Sequence, residues 1–203
     1  MNLRIIVTIV VIAGAVAGCT VRSSGDPLPT RTSESETQEI LPPRPTELDL
    51  ADVDPCTELF TEQQLHELGY DLGYARPPVP GRSAIHGGLD CTYSSTGGAG
   101  GVGRDIITLV GISTSEGALA WVTDPRRAPD HRPEVVVVAG YSALVLPHPE
   151  LPDDCMVVVD TARDQYLAVS AGAGIGKGLD ADPYCAEAER VAAMAITTVS
   201  ASR

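Results

Sequence analysis

EVVVVAGYSALVL, residues Glu134–Leu146, is the stretch from which the architecture follows. Four successive valines and a second apolar run from Tyr141 to Leu146 consist largely of side chains that suit a pleated surface, and they flank Ala139-Gly140, where glycine supplies a turn. The pattern predicts two strands turning at Gly140. Four valines without polar alternation further predict a strand covered on both sides.

The same grammar extends in both directions. Towards the C-terminus, Cys155-Met-Val-Val-Val-Asp160 and Gln165-Tyr-Leu-Ala-Val-Ser170 make a second hairpin around Arg163-Asp164. Towards the N-terminus, Leu89-Asp-Cys-Thr-Tyr-Ser94 and Asp105-Ile-Ile-Thr-Leu-Val-Gly-Ile112 make a third, joined by the glycine run Gly97–Gly103. Three helices frame these strands. Thr61-Glu-Gln-Gln64 has the capping-box form, with Phe60 and Leu65 placed as a hydrophobic staple and Gly69 as a left-handed stop, so a helix is expected over 62–68. Ser113-Thr-Ser-Glu116 repeats the box and predicts a middle helix carrying Leu119, Trp121 and Val122 and stopping before Pro125. Asp182 as N-cap and Pro183 at the first helical position open the last helix, about 183–200. There Tyr184, Ala188, Val191, Ala195 and Val199 share one face and Glu187, Glu189 and Arg190 lie mostly opposite. The expected class is α+β: a mainly antiparallel sheet of about five or six strands, with a short N-terminal, a middle and a C-terminal helix packed on it.

The first residues concern location rather than fold. Arg4 precedes an apolar run from Ile5 to Ala17, shorter than the roughly 20 residues that span a bilayer as a helix. The run closes as Val16-Ala17-Gly18-Cys19, which resembles the bacterial lipobox. That resemblance implies cleavage before Cys19 and a thioether-linked diacylglycerol on its sulfur. Residues 1–18 are thus expected to be a lipoprotein signal peptide. Residues 19–52, rich in Ser, Thr, Pro and Glu, are expected to form a disordered tether with an end-to-end distance of roughly 30 Å. Residues 53–203 form the single globular domain, and the membrane is engaged through the lipid on Cys19, on the extracytoplasmic side of the cell membrane.

The formal charge of the chain is −13 and Lys177 is its only lysine. A nucleic-acid partner is excluded on this ground, because phosphate binding relies on Lys and Arg displacing counterions. The densest positive cluster, Arg126, Arg127, His131 and Arg132, lies in the loop 124–133 and reads by default as a solvated loop, with an anion or partner contact as the alternative. With Cys19 assigned to lipid, Cys56, Cys91, Cys155 and Cys185 remain. An even number in an exported chain reads as two disulfides, with three pairings open. No close Cys-x-x-Cys spacing supports a zinc site, so no metal is expected.

Several fragments look like chemistry and fail on inspection. Gly98–Gly103 matches G-x-G-x-x-G, but a strand-like run follows where a nucleotide site needs a helix. Gly172–Gly178 lacks the first glycine and the Ser/Thr of a phosphate loop. Ser142 sits in Gly140-Tyr-Ser-Ala-Leu144, where Leu144 replaces the second glycine of a nucleophile elbow. His86-Gly87-Gly88 is an oxyanion-like fragment in a loop, His66 reads as a solvated helix residue, and no HExxH occurs. Neither catalytic residues nor a cofactor are assigned.

Taken together, several local patterns resemble one family. Asp54-Pro55-Cys56 precedes a short helix ending in Leu68-Gly69, and Cys91-Thr-Tyr93 follows on a strand. Further on come Gly140-Tyr-Ser-Ala143, Cys155-Met-Val-Val-Val159, and Asp182-Pro-Tyr-Cys185 at the start of an Ala-rich helix. This series is similar to the actinobacterial lipoproteins of the domain-of-unknown-function 3558 family, over roughly residues 50–200. Tyr93 and Ser142 stand where many members carry Trp and Pro. The resemblance implies a small envelope domain with two disulfides and no assigned activity. Together with sequence proximity it favours Cys56 with Cys91 and Cys155 with Cys185. The functional expectation is a non-enzymatic module that binds an envelope protein or a small apolar ligand; the alternatives are a carrier of lipid and an extracytoplasmic hydrolase.

Overall fold

Each of the six apolar runs forms a strand: β1 (Leu89–Ser95), β2 (Ile106–Ser113), β3 (Glu134–Val138), β4 (Tyr141–Pro147), β5 (Asp154–Ala162) and β6 (Gln165–Gly172). They build one sheet in the order β1-β2-β6-β5-β4-β3, antiparallel at every junction. Three helices accompany it: α1 (Glu62–Leu68), α2 (Ala120–Thr123) and α3 (Asp182–Ser202). This computed structural model describes residues 40–70, 88–95, 106–124, 127, 133–148, 151, 153–173 and 181–203. The expected α+β class with an antiparallel sheet, three helices and two disulfides is the observed one.

The β3–β4 hairpin turns through Ala139 (φ 49°) and Gly140 (φ 90°). Two positive φ values in succession match the right-handed twist of the flanking strands, which is why a glycine stands there. β4, β5 and β6 then alternate between two apolar layers. Ala143, Val145, Val157, Val159, Leu167 and Val169 enter the larger one with α3, while Leu144, Leu146, Val158, Tyr166 and Ala168 enter the smaller one on the opposite face.

α3 lies over the first face, burying Tyr184, Ala188, Val191, Ala195, Ile196 and Val199. Its small alanines allow close approach to the sheet. The helix begins one residue earlier than expected, with Ala181 at the N-cap and Asp182 in the first turn. α1 joins this layer. Its capping box forms as expected, Thr61 Oγ1 accepting from Gln64 N–H and Gln64 Oε1 accepting from Thr61 N–H. Gly69 (φ 73°) then turns the chain so that Tyr70 points inward.

Three expectations are corrected. First, the middle helix is a single turn, and Ser113–Glu116 does not open it. Ser113 ends β2 and is buried, and the N-cap of α2 is Leu119, which has no side chain able to cap. Glu116 is engaged by Arg127 and Tyr166 instead. The segment also passes so close to the β5–β6 turn that a Cβ on Gly117 would collide with the Arg163 carbonyl oxygen.

Second, the tether does not extend to residue 52. Leu41 is buried in the smaller layer, and Leu48, Leu50 and Val53 in the larger one, so residues 41–53 form a strap from one face of the sheet to the other. Its backbone is paired on the way: the Pro42 carbonyl accepts from Ser142 Oγ at 2.9 Å, Leu48 N–H donates to the Thr161 carbonyl at 2.9 Å, and Leu50 N–H to Gln165 Oε1 at 2.6 Å. Composition had suggested disorder because Pro, Thr and Glu surround these leucines. Third, β3 is an outer strand covered on one face only: Val136 and Val138 join the larger layer, while Val135 and Val137 are exposed on the other face.

A chain starting at Ile40 is expected to melt like the full chain, whereas one starting at Val53 loses three buried leucines. Each such loss costs about 2–5 kcal/mol when a core leucine is truncated. Equal melting temperatures for the two would show that the strap is dispensable.

Candidate functional site

Under α3, four polar side chains meet inside an apolar layer. Tyr70, turned inward by Gly69, shares a 2.6 Å hydrogen bond with Thr108 Oγ1 of β2, and its hydroxyl donates across a long 3.5 Å to Glu187 Oε1 of α3. Glu187, only 6% exposed, is held by the Arg190 guanidinium at 2.8–3.0 Å. Sequence periodicity placed Glu187 opposite the buried face; the paired Arg190 and Tyr70 compensate its burial. Burial, with the nearby Glu187 charge, drives the Tyr70 phenol well above its ordinary range, so it stays a neutral hydrogen-bonding group. Tyr70 also stacks on Tyr93 with centroids 5.6 Å apart, and Phe60 meets Tyr93 edge-on at 5.4 Å. Tyr93 donates to the Pro55 carbonyl at 2.7 Å, and burial pushes its pKa up to about 12. This aromatic group sits beside the Cys56–Cys91 bridge.

The opposite face carries a second cluster. Arg127 forms a forked pair with Glu116 (2.5 and 2.6 Å), and its guanidinium lies 5.3 Å from the centroid of Trp121. Trp121 meets Tyr166 edge-on at 6.2 Å, and Tyr166 donates to Glu116 Oε1 at 3.2 Å. Arg127 is therefore an internal partner rather than a solvated loop residue. Arg126, His131 and Arg132 lie outside the described residues.

A third group fixes the strap: Arg44 Nε donates to Asp160 Oδ2 at 2.7 Å and its Nη1 to Glu47 at 2.6 Å, while Thr46 and Tyr141 hydroxyls meet at 3.0 Å. Burial raises the Asp160 pKa despite the Arg44 charge beside it. At the other end of β5, burial likewise raises Asp154, with Ser170 (3.0 Å) and His148 acting in the opposite sense. None of these contacts was legible in advance. They depend on which strand faces which segment, and the only local signal was the inward turn that Gly69 imposes on Tyr70.

The cysteine pairs are joined as expected, Cys56–Cys91 and Cys155–Cys185, with Cα separations of 5.2 and 5.0 Å. One ties the turn before α1 to β1, the other the start of β5 to the first turn of α3. Cys19 lies outside the described residues, as do His86, Gly98–Gly103 and Gly174–Gly178. Ser142 is buried with its hydroxyl given to the Pro42 carbonyl, and His66 is exposed. Among the described residues no group of three His, Cys, Asp or Glu side chains is placed to hold a metal. A hollow of about 50 Å³ lined by Leu50, Ala51, Val53, Gly88, Leu89, Ile112 and Thr114 has room for a water-sized group, against the 300–1,000 Å³ of a small-molecule site.

The sequence matches the family described as protein of unknown function (DUF3558) over residues 14–198, and the chain belongs to that family. No curated protein and no solved structure matches it.

Tyr70→Phe is expected to cost about 1–3 kcal/mol, because the Thr108 hydroxyl loses a partner inside the apolar layer. Thr108→Val in the same chain should recover most of that loss, since both polar groups are then gone; chemical denaturation of the two single variants and the double variant would measure it. A double variant no more stable than Tyr70→Phe would contradict the pairing. The raised Asp154 pKa has its own consequence. The folded carboxyl keeps its proton to a higher pH than the unfolded one, so it subtracts stability as the pH rises from the ordinary 3.8 through the raised value. Asp154→Asn should therefore gain on the wild type across that interval in urea unfolding followed from about pH 3 to 7. A pH-independent difference would refute this.

Proposed function

We propose that this member of the family is a lipid-anchored module of the cell envelope, held at the outer face of the cytoplasmic membrane by diacylglycerol on Cys19 and acting by binding rather than by catalysis. The observation that carries the anchor is Val16-Ala17-Gly18-Cys19 at the end of an apolar run too short to span. Two disulfides in one domain favour an oxidising compartment. Among the described residues no helix is long and apolar enough to cross a membrane, and stable anchoring by acyl chains takes two or more of them.

The packed strap refines this reading. The tether expected from the sequence is shortened by it, since residues 41–53 are packed on the sheet. The polar groups brought together in the domain hold its own elements to one another. Glu187 is engaged with Arg190, Glu116 with Arg127, and the Ser142 hydroxyl with Pro42.

In cells fed a labelled fatty acid, the wild type should take up label and sediment with membranes, and Cys19→Ala should be unlabelled and soluble. An unmodified Cys19 in the intact mass of the native product, or an equal membrane share for both proteins, would overturn the anchor.

A further inference from the structure

The two edges of the sheet are unlike. β1 is tied through Cys91 to Cys56, and its smaller-layer face carries Asp90, Thr92 and Ser94. β3 has Val135 and Val137 exposed on one face, at 41% and 68%, and between Glu134 and the turn it is valine throughout. Outer strands are normally guarded by charge, proline or a bulge, because an open row of N–H and C=O groups accepts another strand. Pro133 and Glu134 guard the start of the strand, and positions 135–138 carry neither charge nor proline.

The turn decides which groups are open. Ala139-Gly140 closes on the pair Val138–Tyr141, and hydrogen-bonded pairs alternate from there. Val138, Val136 and Glu134 direct their backbone groups to β4, and Val137 and Val135 turn theirs outward.

We propose that β3 pairs with β3 of a second copy, antiparallel about a twofold axis at Val136, so that two sheets become one. This register is self-complementary. Val135 faces Val137 of the partner subunit, and each copy supplies the outward N–H and C=O of both residues. The exposed valines form one continuous ladder across the junction. Glu134 lies opposite Val138 of the partner subunit, so no like charges meet directly, which would be destabilising. A contact made of backbone and valine is also the kind that a chain of charge −13 can make with itself. The contact is isologous and closes at the dimer.

The strap supplies a further argument, and this one rests on the proposed anchor. A twofold axis perpendicular to the sheet leaves the smaller-layer faces of both copies on the same side. Leu41 packs in that layer and Pro42 sits over Ser142, the neighbour of Val137. Residues 41 and 42 of both copies therefore lie on one side of the joined sheet, as attachment of both copies to one membrane requires.

The test uses the full chain in mild detergent, as wild type and as Cys19→Ala, so that failure of pairing and failure of anchoring are read separately. Sedimentation should show a monomer–dimer equilibrium in both, strengthened by salt as the net charge is screened. Val137→Pro removes an outward N–H, a substitution tolerated on an outer strand, and should weaken the dimer about tenfold or more with the melting temperature kept. Oxidised Val136→Cys should give a disulfide-linked dimer, since directly opposed residues of a non-hydrogen-bonded pair lie about 4.5 Å apart. Val135→Cys and Val137→Cys should crosslink to each other when mixed and neither to itself. A monomer at all concentrations, a dimer unaffected by Val137→Pro, or an edge that crosslinks only to a different protein would each overturn the proposal.

Discussion

A sheet whose central strands are apolar on both sides must be covered on both sides, and this requirement organises the rest of the molecule. In β4 every residue from Tyr141 to Leu146 is buried, and β5 and β6 are nearly as closed. Among the described residues only α3 is long enough to cover one face. The other is covered by irregular backbone: the first residues of the strap and the segment between β2 and α2. Irregular backbone next to an apolar layer must satisfy its own polar groups. The strap does so through Ser142, Thr161 and Gln165, and the 114–124 segment presses Gly117 against the β5–β6 turn. Ser142 is thus a hydroxyl whose place on β4 is explained by the carbonyl it must satisfy.

The disulfides act on the same problem. One Phe, one Trp and six Tyr make a thin aromatic supply, and Phe60, Tyr70 and Tyr93 are concentrated at the β1 end of the larger layer. There Cys56–Cys91 closes a separation of 35 residues, and Cys155–Cys185 closes one of 30. Constraints of this size restrict the unfolded chain by roughly 3–4 kcal/mol each in the chain-entropy view. They also hold elements that few side chains would hold: the short α1 region against an outer strand, and the first turn of α3, which lacks a side-chain cap, against β5.

What the sequence disclosed follows from the range of the interactions involved. Local signals were legible: the Thr61–Gln64 box with its glycine stop, the Ala139-Gly140 turn, and the helical spacing of Tyr184 to Val199 all formed where the residues said. The strand runs were legible too, because period and β-branching are properties of a few adjacent residues. Failures came where a distant partner decided the outcome. Ser113–Glu116 has a capping pattern, but Ser113 is drawn into β2 and Glu116 to Arg127. Glu187 is charged and yet buried, because Tyr70 and Arg190 meet it. Leu41, Leu48 and Leu50 are scattered among residues of low β and helix propensity, and no periodicity marks a strap. The four valines predicted coverage on both sides, whereas position in the sheet is a property of topology.

That last discrepancy bears on function. An interior strand of valines needs no explanation beyond packing, but at the edge of the sheet the same strand leaves Val135 and Val137 exposed. The strap could have covered them and does not: it crosses β4 at Ser142, inside the edge, and then turns towards β5 and β6 through Arg44–Asp160 and Leu48–Thr161. Among the described residues, coverage on the smaller-layer side therefore stops one strand short. Folding of the described domain is complete without the open edge, since β3 is already fixed by its turn, by β4 and by Val136 and Val138 in the larger layer. What the edge presents is a surface shaped by the fold but not used by it, and a strand from another chain satisfies both its hydrogen bonds and its valines at once.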